Sequence, residues 1–403
     1  MLKERTLLLR DIKRFMLPEF DNTEVAFKYK TNRDLKQAQF LFSSMGSPTL
    51  TGLGIWFTKW AMKIGLPING IIKSTIFKQF CGGETMQEAA QTANMLAQYN
   101  VGVIMDYGVE GKEDEHEFDK AVPEFIKAIE YASTNKSIPF ISVKITGFAR
   151  FQLMERVHNK VQLSDNEQAE WNRVANRIER ICAAAYENNV MVLVDAEETW
   201  IQEAVNELVD AMMEKYNKEH AVIFNTFQLY CHGTLAYLQE AYKIAESKNY
   251  KLGAKLVRGA YMEKERKRAT EKGYPSPIQP NKSATDKDYD EAVIFCLDRL
   301  NNLSLFIGTH NEKSCLLAAK YMKEKGIKRD DKRVYFSQLF GMSDNISLNL
   351  GYAGYNVAKY LPYGPVKDVI PYLMRRAQEN TSVAGQTGRE LSLINTELKR
   401  RRD

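Results

Sequence analysis

AEWNRVANRIERICAAAYENNVMVLVDAEET occupies residues 169–199, and one complete structural module can be read from it. Trp171, Val174, Ala175, Ile178, Ile181 and Cys182 follow the i, i+3, i+4, i+7 spacing, which predicts an amphipathic helix over 169–188. The period then changes. Met191-Val192-Leu193-Val194 is an unbroken apolar run that stops at Asp195, as expected of a parallel strand covered by helices. The same pattern recurs along the chain. Further strand candidates are FCGGE at 80–84, GVIMD at 102–106, FISVK at 140–144 and VIFN at 222–225. The last three are GAKLV at 253–257, LFIGT at 305–309 and RVYFS at 333–337. Helical patterns at 292–300 and 312–325 separate later members of the series.

Eight alternations fit either a closed βα barrel or an open doubly wound sheet. The polar ends of the strands decide between them. Glu84, Asp106, Lys144, Asp195, Asn225 and Thr309-His310-Asn311 each end or directly follow a candidate strand. A barrel spreads functional side chains over many strand ends, whereas a doubly wound sheet gathers them at one switch point beside a Gly-rich turn. No GxGxxG or GxxxxGK[ST] occurs. The expectation is an α/β chain built as a (β/α)8 barrel. The stretch before the first candidate strand reads as a helical arm over 1–78, the barrel as 79–385, and 386–403 as a helical tail.

Bulk properties narrow the function. The 403 residues are 44% hydrophobic, enough for a large core, and 56 basic residues face 51 acidic ones. The well-mixed charge of +5 gives no reason to expect nucleic acid. Five cysteines without a CxxC pair read as reduced thiols of an intracellular protein. No apolar run reaches the length of a membrane span, and no HExxH or similar spacing suggests a metal. The basic stretch 1–15 contains acids and lacks the apolar segment of a secretory signal. Lys399 to Arg402 read as a solvated helix end rather than a phosphate or lipid contact. Trp56 and Trp60 lie among lysines in IWFTKWAMK, 55–63; the reading favours a helix packing its Trp face on the barrel over one lying on a membrane.

Three stretches carry the chemistry. After Gly364-Pro365, which marks a helix start, Tyr372 and Arg376 are i, i+4 neighbours, as are Arg375 and Glu379. Adjacent guanidinium groups suit a carboxylate, each offering a planar fork of donors; an exposed basic turn is the alternative. In KLVRGAY, 255–261, Gly259 and Ala260 would let a flat ligand approach the backbone, Arg258 could meet phosphate, and Tyr261 could wall a pocket. Thr309-His310-Asn311 could hold a cofactor or make structural hydrogen bonds. Lys144 and Asp195 end neighbouring strands and could form an ion pair.

Taken together the segments resemble the proline dehydrogenase (proline oxidase) family. They are CGGET at 81–85, DYGVE at 106–110, SVKITG at 142–147 and VDAEET at 194–199. IFNTFQLY at 223–230, GAKLVRGAYMEKER at 253–266, GTHNE at 308–312 and YFSQLFGMSDNIS at 335–347 follow in order. YLPYGPVKDVIPYLMRRAQEN at 360–380 closes the series. The form resembles the monofunctional, mitochondrial-type enzyme. The resemblance implies a distorted barrel holding FAD at the strand C-termini, oxidation of L-proline to Δ1-pyrroline-5-carboxylate, and electron delivery to a membrane quinone, with peripheral membrane association. It implies that Arg375, Arg376 and Lys144 hold the substrate carboxylate and that Tyr261, Leu339, Tyr360 and Tyr372 line the ring pocket. Asp195 and Lys255 take catalytic roles by the same comparison. Val194, Asn225 or Gln228, Lys255, Arg258, Gly259, Ala260, Thr309, His310, Asn311 and Glu379 are implied around FAD. Many bacterial members have Arg where Lys255 stands and Gln where Asn225 stands. A bacterial cytoplasm or inner-membrane periphery is expected in preference to a mitochondrial matrix. The competing readings are a 4-hydroxyproline dehydrogenase, disfavoured by the bulk of Tyr360, a Schiff-base aldolase using Lys144, and a non-catalytic amino-acid-binding barrel.

Overall fold

The computed structural model describes residues 17–64, 66, 68–108, 113–382 and 386–403; the basic stretch 1–15 lies outside them. Eight parallel strands close into a barrel in chain order. They are β1 (Gly102–Tyr107), β2 (Phe140–Val143), β3 (Met191–Val194), β4 (Ile223–Gln228), β5 (Leu252–Val257), β6 (Leu303–Gly308), β7 (Val334–Leu339) and β8 (Val357–Tyr363). A helix follows every strand, which gives the (β/α)8 architecture read from the alternation.

The opening module forms as expected but starts earlier. Its helix spans Asp165–Asn188, because Ser164 and Glu167 make a reciprocal capping box ahead of the first apolar residue. Asn189, in the left-handed region at φ 52°, ends it.

Two strand expectations need correction. The 80–84 candidate is not a strand: Phe80 ends a short helix (Lys78–Phe80), and only an isolated bridge joins Gly83 to Tyr363. The glycine pair explains this. A Cβ on Gly82 would lie 2.7 Å from the Leu361 side chain, and Gly83 has φ +155° with Glu88 against it. The pair serves close approach rather than a ladder. The barrel's eighth strand is instead Val357–Tyr363, hidden in the sequence by Lys359 and Pro362. Lys359 is fully buried and paired with Asp344 at 2.8 Å, and the Pro362 carbonyl accepts from the Gly82 N–H.

The chain forms two compact units, 109–337 and 1–108 with 338–403. Within the first, Phe140 packs edge-on against Phe224, Phe306 and Tyr335, with ring centroids 5.9, 5.1 and 4.8 Å away. These aromatics come from β2, β4, β6 and β7 and fill the space between the strands, as side chains do in a packed barrel. Within the second, Leu35, Phe42 and Phe77 of the arm and Phe80 just after it share a core with Val369, Ile370, Leu373 and Ala377 of helix Val366–Ser382 and with Leu393, Ile394 and Leu398 of helix Gln386–Arg400. Asp344 anchors this unit: it accepts from Tyr29 Oη (2.8 Å) and pairs with Lys30 (2.9 Å) and Lys359. The two cations hold its carboxyl well below the ordinary range despite burial.

Trp56 and Trp60 do not pack inward. They are 62% and 43% exposed and stack on one another at 6.2 Å on helix Pro48–Lys63. The five cysteines are buried, and none is in a disulfide. Among the described residues no helix is long and apolar enough to cross a membrane, and no cluster of three metal-ligating side chains occurs.

Candidate active site

β2 and β3 pair so that Val143 lies beside Val194. The next residue on each strand is therefore Lys144 and Asp195, brought side by side by register. The Asp195 N–H donates to the Val143 carbonyl (2.8 Å), holding that end closed. One Asp195 oxygen accepts from Lys255 Nζ of β5 at 2.6 Å; the other lies 3.6 Å from Lys144 Nζ. All three side chains are largely buried, with exposures of 7%, 13% and 14% for Lys255, Asp195 and Lys144. Both lysine side chains therefore converge on one carboxylate in a poorly solvated place, a setting that suits an anionic ligand.

Glu197, absent from the sequence-derived site, supports this trio. Its carboxylate accepts from the Thr146 N–H (3.2 Å) and Oγ1 (2.5 Å), fixing the turn Ile145–Gly147 directly after Lys144. Burial pushes its carboxyl up to about 7, and the Glu198 charge adds to the rise; the Thr146 hydrogen bonds and Lys144 oppose it. The EET run was visible in the sequence, but nothing in the pattern distinguished Glu197 from its exposed kind.

The second group sits at the ends of β5 and β6. Arg258 uses Nε on Asp286 (2.8 Å), one terminal nitrogen on Thr309 Oγ1 (2.7 Å) and the other on Ser314 Oγ (3.0 Å). Its guanidinium also lies 4.3 Å from the Tyr289 ring centroid. Asn311 caps helix Glu312–Glu324, its side chain accepting from the Lys313 and Ser314 N–H groups. Arg258, Thr309 and Asn311 thus form one rigid network. Gly259 has φ +135°, and a Cβ there would lie 2.3 Å from the Tyr230 ring. Only glycine fits, and Gly259 and Ala260 leave exposed backbone beside Arg258.

Of the two β4 amides, Asn225 is corrected. Its Nδ2 donates to Asn206 of helix Thr199–Tyr216 (3.1 Å), and its Oδ1 accepts from the Thr226 N–H. It therefore points to the outer helices, because Phe224, Thr226 and Gln228 take the inner face of the strand. Gln228 donates to the Glu197 carbonyl (2.7 Å), and Thr226 Oγ1 donates to the Val194 carbonyl (2.6 Å). His310 and Tyr261 lie half-buried in the loops after β6 and β5.

In the other unit, helix Val366–Ser382 buries Val366, Val369, Ile370, Leu373 and Ala377 against the arm. That leaves Tyr372, Arg375 and Arg376 on the remaining surface. The Arg376 guanidinium lies 5.4 Å from the Tyr372 ring centroid, as the i, i+4 spacing anticipates. Glu379's side chain lies outside the described residues. Tyr360, 8% exposed, is on the face of β8 opposite Lys359, and Leu339 ends β7, its carbonyl accepting from Lys359 Nζ (3.3 Å).

Comparison with known proteins places this geometry. The family model described as proline dehydrogenase matches residues 89–389. The chain belongs to the proline dehydrogenase family. Among similar relatives, a carbapenem antibiotics biosynthesis protein, CarD, of Pectobacterium carotovorum is 35% identical over 82% of this chain and 86% of its own. Proline dehydrogenase 1, mitochondrial, of Dictyostelium discoideum is 32% identical over 84% of this chain and 67% of its own. A Xenopus laevis hydroxyproline dehydrogenase is 32% identical over 93% of this chain and 88% of its own. Among solved structures, proline utilization A of Bdellovibrio bacteriovorus superposes with a TM-score of 0.70 at 18% identity, covering 93% of this chain and 38% of that one. That likeness is one of fold, and it confirms the barrel.

Proposed function

We propose that this chain oxidises L-proline to Δ1-pyrroline-5-carboxylate using FAD, and that the electrons pass to a membrane quinone. The observation that carries the reading is the buried convergence of Lys144, Asp195 and Lys255 at the ends of three strands, in a proline dehydrogenase barrel. Lysine side chains gathered there suit an anionic ligand, and proline offers a carboxylate. The residues also fit a flavin nucleotide: Gly259 excludes any side chain and leaves backbone open, and Arg258 and Thr309 stand fixed beside it. FAD would be held by Arg258, Gly259, Ala260, Thr309, His310 and Asn311, with Val194, Gln228, Lys255 and Glu379, and bound there it supplies the hydride acceptor.

The chain's own residues then bind and orient. Arg375, Arg376 and Lys144 take the carboxylate in this reading, each contributing charge-assisted hydrogen bonds that fix which ring carbon is presented. Tyr261, Leu339, Tyr360 and Tyr372 exclude water from the ring. Asp195 aims the two lysines, at 2.6 Å from Lys255 Nζ and 3.6 Å from Lys144 Nζ. A catalytic barrel of 79–385 with the arm 1–78 and the tail 386–403 as supports completes the assignment, at the inner-membrane periphery of a bacterial cell.

Two alternatives compete with it. The similarity to a hydroxyproline dehydrogenase favours 4-hydroxyproline as a second substrate, and the bulk of the buried Tyr360 opposes it. The Schiff-base reading loses support because the matching family model is that of proline dehydrogenases. The test is the visible spectrum of the purified protein before and after anaerobic L-proline. Flavin bands that bleach with L-proline, and much less with trans-4-hydroxy-L-proline, uphold the proposal. Bands indifferent to proline reject the substrate, and a colourless protein unable to take up FAD rejects the cofactor.

A further inference from the structure

A cavity of about 200 Å3 lies behind helix Pro48–Lys63. Leu41, Met45, Ile55, Ile72, Leu373 and Met374 are among the apolar side chains of its wall. Three hydroxyls also reach it, but each already donates to a backbone carbonyl: Ser44 to Phe40 (2.9 Å), Thr51 to Met45 (3.4 Å) and Thr58 to Gly54 (2.8 Å). The wall therefore offers few partners to water and suits hydrocarbon. An engineered apolar cavity of about 150 Å3 already takes up benzene, so this one has room for a segment of an aliphatic chain.

Gly54 is the second observation. It lines the cavity from inside a 16-residue helix, where glycine costs about 1 kcal/mol relative to alanine. Nothing lies within 4 Å of a Cβ built on it, so no close approach requires the glycine. What its missing side chain does is leave the cavity open.

The surroundings indicate where a ligand would come from. The outer face of the same helix exposes Leu53, Trp56, Phe57 and Trp60. Of the fifteen large apolar side chains exposed among the described residues, nine fall between Phe40 and Ile71. Over residues 35–83 the chain has Lys36, Lys59, Lys63, Lys73 and Lys78 and no Asp or Glu. Lys73 pairs with Glu84 and Lys78 with Asp34 at 3.0 Å; apolar surface with interfacial tryptophans and the other lysines suits a bilayer with anionic headgroups.

We propose that the cavity behind helix Pro48–Lys63 binds one hydrocarbon chain of a membrane amphiphile, either the prenyl chain of a quinone or the acyl chain of a lipid. The proposal rests on the cavity and not on the catalytic reading. Titration of the full chain with cis-parinaric acid, read by fluorescence, tests it. Saturable one-to-one binding is expected, weakened about tenfold or more in Gly54→Leu, which fills the space, and changed less than about twofold in Gly54→Ala. Thermal unfolding shows that both variants fold; Thr58→Leu, which fills the same cavity, replaces Gly54→Leu if that variant does not. Displacement by geranylgeraniol at lower concentration than oleate assigns a prenyl chain, and the reverse order assigns an acyl chain. Binding that does not saturate, or that survives the filling substitution unchanged, overturns the proposal. Flavin bleaching by L-proline, followed in the same samples, is expected to be equal in all variants and reports on the catalytic reading separately.

Discussion

Glu197 gives a quantitative prediction. Its carboxyl is 4% exposed and pushed up to about 7, from an ordinary value of 4.5. The folded state therefore holds a proton that the unfolded chain has already released between these values. Stability tied to this group is fully present below pH 4.5 and is lost as pH rises through about 7. A shift of about 2.5 units at 1.36 kcal/mol each amounts to roughly 3 kcal/mol. The Glu197→Gln variant keeps the shape and an oxygen for the Thr146 N–H but cannot titrate. Urea denaturation of both proteins at pH 4.5, 6, 7 and 8 isolates the effect. The variant should gain on the wild type by about 3 kcal/mol across this range, with the difference levelling off above pH 8. A difference that stays constant within about 1 kcal/mol would show that Glu197 is not held neutral by burial.

Three other outcomes follow from the site. Lys255→Met removes the 2.6 Å partner of the buried Asp195 carboxylate, and should cost about 3–5 kcal/mol of stability by denaturant titration. Gly259→Ala, at φ +135° and against the Tyr230 ring, should lower stability by about 1–3 kcal/mol and reduce FAD retention on gel filtration; full retention would remove Gly259 from the proposed cofactor site. Arg376→Met should raise the KM for proline about 10–100-fold, corresponding to one lost charge-assisted interaction, with the flavin spectrum intact. A KM within a factor of two would exclude Arg376 from carboxylate binding.

The sequence made the barrel legible wherever a strand was both apolar and followed by an amphipathic helix. It failed at β8, where a buried lysine and a proline interrupt the run, because their compensation lies far away in Asp344 and Gly82. It failed in the opposite sense at 80–84, where the glycines serve packing against Leu361. The site was legible at residues whose type is costly at a strand end, such as Lys144 and Asp195. Strand parity, which separates Asn225 from Gln228, needed the exact start of β4, and that is the least readable feature of a short apolar run. Glu197 escaped for a related reason: burial, not residue type, is what makes it unusual.

The unit that contains both chain ends has a temporal consequence. Phe42, Phe77 and Phe80 leave the ribosome well before their partners Leu373 and Leu393, which come some 290–350 residues later. At synthesis rates of about 5–20 residues per second, those side chains wait roughly 15–60 s for the surface that buries them. During that interval the chain has made β2 to β7 but not β8, so the barrel is still open and the early aromatic side chains are still unburied. Binding by a holdase during translation would be aimed at that early segment, and its release would be timed by the emergence of the arginine-bearing helix.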